Sequence, residues 1–336
     1  MFADGHLPWQ GATAMLHRQA VKLAIGLGPH NPGVLFYLKR ACRGYGYELH
    51  DRGDCLEVRK DNRSILIPQK HFIHARTIAR EFDVFFDAVV CEQSNGRFVV
   101  DYSRPRLHTC KSSGLQFELA GFSERSDVVK GYLHWYTPNP GDCVFDIGAN
   151  CGISTYRFSK LVGHEGKVIA LEPDPLNYAL LRRNIARHNL RNVVAVHAAV
   201  ANKRGLARFY ADGSLGSCLA DLPSVGTVAR VQFVPTVTLA DAFARWGEPD
   251  FCKIDIEGAE IQVLASAKDL LAEARTHFAL DTSHIVRGQP TARSIERIFR
   301  ESGFEVESAV ISGAMTTWAK PVVNPVAAPE VAHRAA

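Results

Sequence analysis

The sequence contains no C-x-x-C pair, although eight cysteines are scattered at positions 42, 55, 91, 110, 143, 151, 218 and 252. That spacing argues against a zinc ribbon or a thioredoxin-type motif and reads as isolated reduced thiols. So many unpaired thiols suit a reducing compartment, and a cytoplasmic address is expected. No apolar stretch of about 18 residues runs without a charge, so no membrane-spanning helix is expected. A secretory pattern is missing too, since Ala20 to Leu27 is short, sits late and carries Lys22. Charge of one sign is scarce. A formal net charge of +4 and a pI near 8.6 fall far short of a polyelectrolyte binder, and nucleic acid is not an expected partner. Finally, no G-x-G-x-x-G run seats a dinucleotide pyrophosphate, which sets NAD-dependent chemistry aside.

What is present is room and one organising turn. A chain of 336 residues, 46% of them hydrophobic, can bury a full core and hold one large and one smaller domain. In VFDIGANCG, Val144 to Gly152, an apolar run ends in Asp146, and Gly148, Asn150 and Gly152 follow at every second position. The pattern is strand, tight turn, helix. Glycine there lets a backbone approach a ligand, and the free N–H groups of a helix start favour an anionic group. The spacing D-x-G-x-N-x-G suits S-adenosylmethionine (SAM) better than NAD. Chain reversal alone is the plain alternative.

Residues 1 to about 43 carry two helical stretches separated by GPHNPG at 28–33. Short alternating runs then read as strands: YELHD, CLEVRK and SILIP, and, after a helix over His71 to Val89, RFVVDYS, RLHTC and LQFELAG. Together they predict a small α+β module over 1–121, a source of substrate or partner contacts. A lead-in helix, Phe122 to Tyr136, ends at PNPGD and feeds the glycine-turn strand. Strands at 144–149, 167–172, 193–198, 251–256 and 277–282 alternate with helices, and short strand-like pieces interrupt them at 200–237. The last pair, 304–310 and 315–320, is joined by SGA, too short for a crossover, so it must be an antiparallel hairpin. A seven-stranded, mostly parallel sheet with an antiparallel last strand is the class I methyltransferase, Rossmann-like architecture, here over 122–320. The tail, 321–336, is rich in Ala, Pro and Val and reads as disordered.

Two acidic sites accompany the turn. Glu172 ends the second strand in LEPDP, where a carboxylate can accept both hydroxyls of a ribose; the alternative is an acid answering the next helix dipole. In FCKIDIEGAE, Lys253, Asp255, Glu257 and Glu260 crowd the end of a buried strand, the edge where open parallel sheets bind ligands. Burying Asp255 and Glu257 without a role would be costly. Glu260 fits the first turn of the following helix, as a partner of its dipole.

DIGANCG, LEPDP with LRRNIARHN, VTLADAF and KIDIEGAE together resemble the FkbM-type SAM-dependent methyltransferases over about residues 122–320. The resemblance implies an enzyme that methylates a hydroxyl of a small molecule or sugar by in-line displacement at the sulfonium methyl. It implies that Asp146, Gly148, Asn150 and Gly152 hold the methionine part of SAM, that Glu172 takes the ribose, and that Asp255 and Glu257 border the reaction cleft. Glu124 in GFSERSD has a family counterpart among the cofactor contacts. After the fifth strand the chain departs from the common acidic-x-His arrangement and has ALDTSH, leaving Asp281 and His284. His284 is a candidate base, with Asp255 as the other. Asp255, Asp281 and His284 could meet around a divalent cation, but the signal is weak and no metal is expected. The rival from another class is a SAM-binding scaffold that acts through residues 1–120 and does not catalyse.

Overall fold

A computed structural model describes residues 24, 27–122, 128–211, 213, 217–219, 230–286, 289–311 and 313–322. Seven strands form the central sheet: β1 (Cys143–Ile147), β2 (Lys167–Leu171), β3 (Val193–Val196), β4 (Phe251–Ile254), β5 (His277–Asp281), β6 (Phe304–Ile311) and β7 (Ala314–Pro321). Their spatial order is β3-β2-β1-β4-β5-β7-β6. Neighbours are parallel from β3 through β5, and β7 runs antiparallel to both β5 and β6. This is the class I methyltransferase topology. The short link between β6 and β7 dictates it, because a strand that must return at once can pair only antiparallel.

The central strands are apolar along their whole length because helices cover both sheet faces. All four residues of β4 are buried, and so are four of the five in β1. The helices are α1 (Val128–Tyr132), α2 (Ile153–Val162), α3 (Pro175–Arg187), α4 (Leu239–Trp246), α5 (Glu260–Ser266), α6 (Lys268–Glu273) and α7 (Ala292–Glu301). Local chemistry sets their starts. Asp174 caps α3 by accepting from the N–H groups of Leu176 and Asn177, ahead of Pro175. Thr238 and Asp241 form a reciprocal capping box at α4. One face of the sheet packs Phe145, Ile254, Phe278 and Phe299 into a core, and the other packs Val144, Phe158, Phe251 and Trp318.

The region between β3 and α4 builds a four-stranded sheet of its own, ordered Ala199–Val200, Arg230–Val237, Gly205–Ala211, Cys218–Leu219. The N-terminal module contains a five-stranded sheet, from Glu48–Asp51 through Cys55–Lys60, Arg63–Pro68 and Arg97–Asp101 to Glu92–Ser94. A separate hairpin, Arg106–Thr109 with Gln116–Leu119, docks on α3. There Asn184 donates to the Glu118 carbonyl and accepts from its N–H, and Arg183 and Arg187 face the Glu118 carboxylate. The module's core also takes in Cys151 and Leu180, so it packs directly against the glycine turn and α3.

Two helical expectations change. The helix read over His71 to Val89 is three pieces, a 3-10 turn Gln69–His74 and helices Ala75–Arg80 and Phe82–Ala88, broken at Glu81, whose φ of −115° and ψ of 30° leave the helical region. The lead-in helix stops at Tyr132 instead of Tyr136; there the Gly131 carbonyl accepts from His134 N–H, a tighter turn, and from the indole N–H of Trp318 on β7. The first N-terminal helix, apart from Ala24 and Leu27, the tail beyond Val322, and Glu124 lie outside the described residues. Among the described residues no helix is long and apolar enough to cross a membrane.

Candidate active site

One cleft opens at the carboxyl ends of β1, β2 and β4. It is lined by Gly148, Asn150, Glu172, Asp255 and Glu257, with Leu171, Val200, Ile256, Phe209 and Leu219 among its apolar walls. Five of the residues singled out from sequence therefore share one cleft. Asp146 and Gly152 do not line it.

The reason lies in the geometry of the turn. Asp146 is fully buried and accepts from the hydroxyls of Ser154 (2.8 Å) and Thr155 (2.6 Å), which tie β1 to the start of α2. Expected to hold the methionine part of a cofactor, it is a brace inside the sheet. At Gly152 (φ 92°) a side-chain carbon would lie 2.6 Å from Leu181 Cδ1, so this glycine serves the packing of α2 on α3. Gly148 (φ 79°) is tighter still: a Cβ there would sit 1.8 Å from the Asp255 carbonyl oxygen. The glycine thus lets the β1 turn and the β4 exit touch, which brings Asn150 and the acidic residues of the exit into one cleft. Asn150 adopts a left-handed φ of 48°, and its N–H donates to Glu172.

Glu172 accepts a backbone N–H at each oxygen, from Asn150 (2.7 Å) and Asp174 (2.8 Å). Burial pushes its carboxyl up to about 8, and the neighbouring Asp174 charge adds to the rise against the two N–H groups. Asp174 itself, missed from sequence, accepts from Gly213 N–H and the Ser217 hydroxyl. It holds the four-stranded insertion over the cleft.

At the acidic edge, Asp255 accepts from the Tyr132 hydroxyl (3.1 Å) and lies 3.9 Å from Lys253 Nζ. Lys253 is completely buried, donates to the Gly148 carbonyl at 2.6 Å and lies 3.4 Å from Asp146. Its position inside an apolar strand was the available signal, because a lysine is rarely buried without paired charges. Glu257 precedes α5 in a left-handed turn (φ 56°) and is not part of the helix.

His284, on the loop after β5, completes the group. Its Nε2 lies 3.7 Å from Asp255 and 3.5 Å from Glu257, and its Nδ1 lies 3.1 Å from Glu260. Burial alone would depress the imidazole, but the Glu260 and Glu257 carboxylates overcome it and hold it well above its ordinary value. Burial also pushes Glu257 up to about 7, with His284 opposing and Asp255 adding to the rise. Asp281 is engaged by the N–H and hydroxyl of Ser283.

Asp255, Glu257 and His284 each offer a donor atom within 4.8 Å of the others, a set chemically able to take a divalent cation. His284, when protonated, is the counter-charge nearest to both of these carboxylates.

Residues 146–306 match the family described as Methyltransferase FkbM domain. A curated relative, 31-O-demethyl-FK506 methyltransferase FkbM of Streptomyces tacrolimicus, is 31% identical over 170 residues, covering 40% of this chain and 63% of that protein. The chain thus spans less than two thirds of that relative's length. Among solved structures, methyltransferase FkbM of Methylobacillus flagellatus is 15% identical with a TM-score of 0.43, covering 58% of this chain and 48% of that one. A precorrin-6y C5,15-methyltransferase of Geobacter metallireducens is also 15% identical, with a TM-score of 0.41 and coverage of 61% and 94%. With DIGANCG and KIDIEGAE joined at one cleft, the stretch of this chain from Asp146 to Val306 is similar to the FkbM methyltransferase domain.

Proposed function

We propose that this protein transfers a methyl group from SAM to a hydroxyl of a small-molecule or carbohydrate acceptor. The observation that carries the reading is the single cleft shared by Gly148, Asn150, Glu172, Asp255 and Glu257. The residues fit the cofactor. Glu172, at the end of β2, is the acceptor for ribose hydroxyls, Leu171, Val200 and Phe209 offer apolar walls for a base, and the carboxylates suit a cationic ligand. Bound there, SAM supplies an electrophilic methyl. The hydroxyl acceptor is carried over from the Streptomyces relative, a 31-O-demethyl-FK506 methyltransferase.

This chain's own part is orientation and proton removal. At neutral pH the imidazole of His284, expected from sequence to be the base, carries a proton and pairs with the carboxylates. The proton of the acceptor hydroxyl therefore passes to Glu257, whose affinity for protons lies near neutrality, where a general base works best. Asp255, fixed by Tyr132 and flanked by Lys253, holds the imidazole from the other side.

The test has two stages. Isothermal titration should give a micromolar dissociation constant for S-adenosylhomocysteine, and no heat at ~1 mM ligand, the level of about −4 kcal/mol, would remove the cofactor assignment. Tritiated methyl transfer from SAM into cell extracts and hydroxylated acceptor libraries should then label a product. Binding without any labelled product would favour a scaffold that does not catalyse.

Glu172→Ala should weaken S-adenosylhomocysteine binding at least tenfold, about 1.4 kcal/mol. It removes the acceptor of the ribose hydroxyls and of the Asn150 and Asp174 N–H groups together. An unchanged affinity in the folded variant would leave Glu172 as a brace of the turn alone.

A further inference from the structure

We propose that Glu260 is a positioning residue that fixes the His284 ring so that Nε2 faces Asp255 and Glu257. This deepens the proposed function and rests on that reading of the cleft.

From sequence, Glu260 is a first-turn acid satisfied by a helix dipole. Its geometry does not match that role. The side chain is completely buried, and α5 is a helix of only seven residues. Its Oε1 does not turn to the free N–H groups of the helix start. It reaches back instead to Ile256 N–H (3.0 Å) and Gly258 N–H (3.3 Å), in the loop that carries Glu257. The same oxygen lies 3.1 Å from His284 Nδ1, an ion-pair contact outside hydrogen-bond geometry, and neither Nδ1 nor Oε2 has a hydrogen-bond partner among the described residues. A buried carboxylate with one oxygen left bare is costly for a loop clasp that a neutral amide could provide.

The backbone at His284 is fixed independently. Thr291 N–H donates to the His284 carbonyl, and Thr282 donates to the Met315 carbonyl, which leaves ring rotation as the remaining freedom. The Glu260 charge beside Nδ1 opposes that rotation and keeps Nε2 directed at the two carboxylates, the arrangement by which a buried acid selects one face of a histidine. Glu260 thus couples the β4 exit loop, which carries the proposed base, to the β5 loop, which carries its counter-charge.

Glu260→Gln separates positioning from clasping, since its amide oxygen still accepts both loop N–H groups but the charge facing Nδ1 is lost. The readout is side-chain 15N NMR of the full chain labelled at histidine and saturated with S-adenosylhomocysteine, His284 being assigned from a His284→Gln spectrum. In the wild type we expect a persistent Nδ1–H signal from His284 and a titration midpoint above that of free imidazole. In Glu260→Gln we expect the midpoint to fall by about one pH unit or more, with S-adenosylhomocysteine affinity within about twofold of wild type. An unmoved midpoint in a folded Glu260→Gln would reduce Glu260 to a loop clasp. An ordinary midpoint without an Nδ1–H signal in the wild type would overturn the proposal without any variant. Because no methyl acceptor is used, failure here leaves the methyltransferase reading standing, and failure of cofactor binding is seen separately in the titration.

Discussion

Gly148→Ala is expected to abolish cofactor binding and to destabilise the fold by about 3 kcal/mol or more. Two penalties coincide at this position. The residue sits at φ 79°, which L side chains rarely adopt, and its added carbon would fall 1.8 Å from the Asp255 carbonyl oxygen. Backbone cannot yield as a flexible side chain can, so either the turn or the β4 exit must move. Moving the turn displaces Asn150 from Glu172, and moving the exit displaces Asp255 from Tyr132. Gly163→Ala is a useful comparison, because it also has a positive φ (66°) but open space around the new carbon. It should show the conformational cost alone, roughly 1–3 kcal/mol. Urea unfolding of both variants, with titration of S-adenosylhomocysteine, makes the measurement. A Gly148→Ala protein as stable as Gly163→Ala and still binding the ligand would mean that the close contact between turn and exit is wrong.

Asp255→Asn and Glu257→Gln should each slow single-turnover methyl transfer by about 10²- to 10⁴-fold, the usual contribution of a positioned base, while S-adenosylhomocysteine affinity changes by less than about threefold. Glu257 is the proposed base, and Asp255 holds its counter-charge, so the pair acts as a unit and the double variant should be little worse than either single one. The pH dependence carries a sign. Burial raises Glu257 to about 7, so the carboxylate form able to take a proton accumulates as pH rises through 7. Transfer by the wild type should therefore climb about tenfold per unit on the acid side and level off above 7, and Glu257→Gln should lose that rise. Rapid-quench measurement at saturating SAM, with the acceptor found by labelling, separates this chemistry from binding. A Glu257→Gln enzyme that runs near wild-type speed with the pH rise intact would remove it as the base.

The sequence by itself determined the architecture and the place of the cleft. Period and turn chemistry mark each strand of the sheet, and the short link between the last two strands forces the antiparallel return, because these are local properties of a chain. DIGANCG and KIDIEGAE mark the strand ends that line the cleft, since ligands of an open parallel sheet gather at its carboxyl edge. Roles within those motifs were decided only by tertiary structure. Asp146 and Gly152 look like ligand-binding positions until Ser154, Thr155 and Leu181 are seen to occupy their neighbourhoods. Glu260 looks like a solvated acid of a helix start until the β5 loop, some two dozen residues further on, brings His284 to 3.1 Å. Lys253 and Tyr132 gain their places from a strand pairing and a helix crossing that no local pattern records. The physical reason is common to all of them. A side chain's charge state and partner depend on what the fold stacks against it at a few ångströms, and those neighbours come from residues far away in the chain.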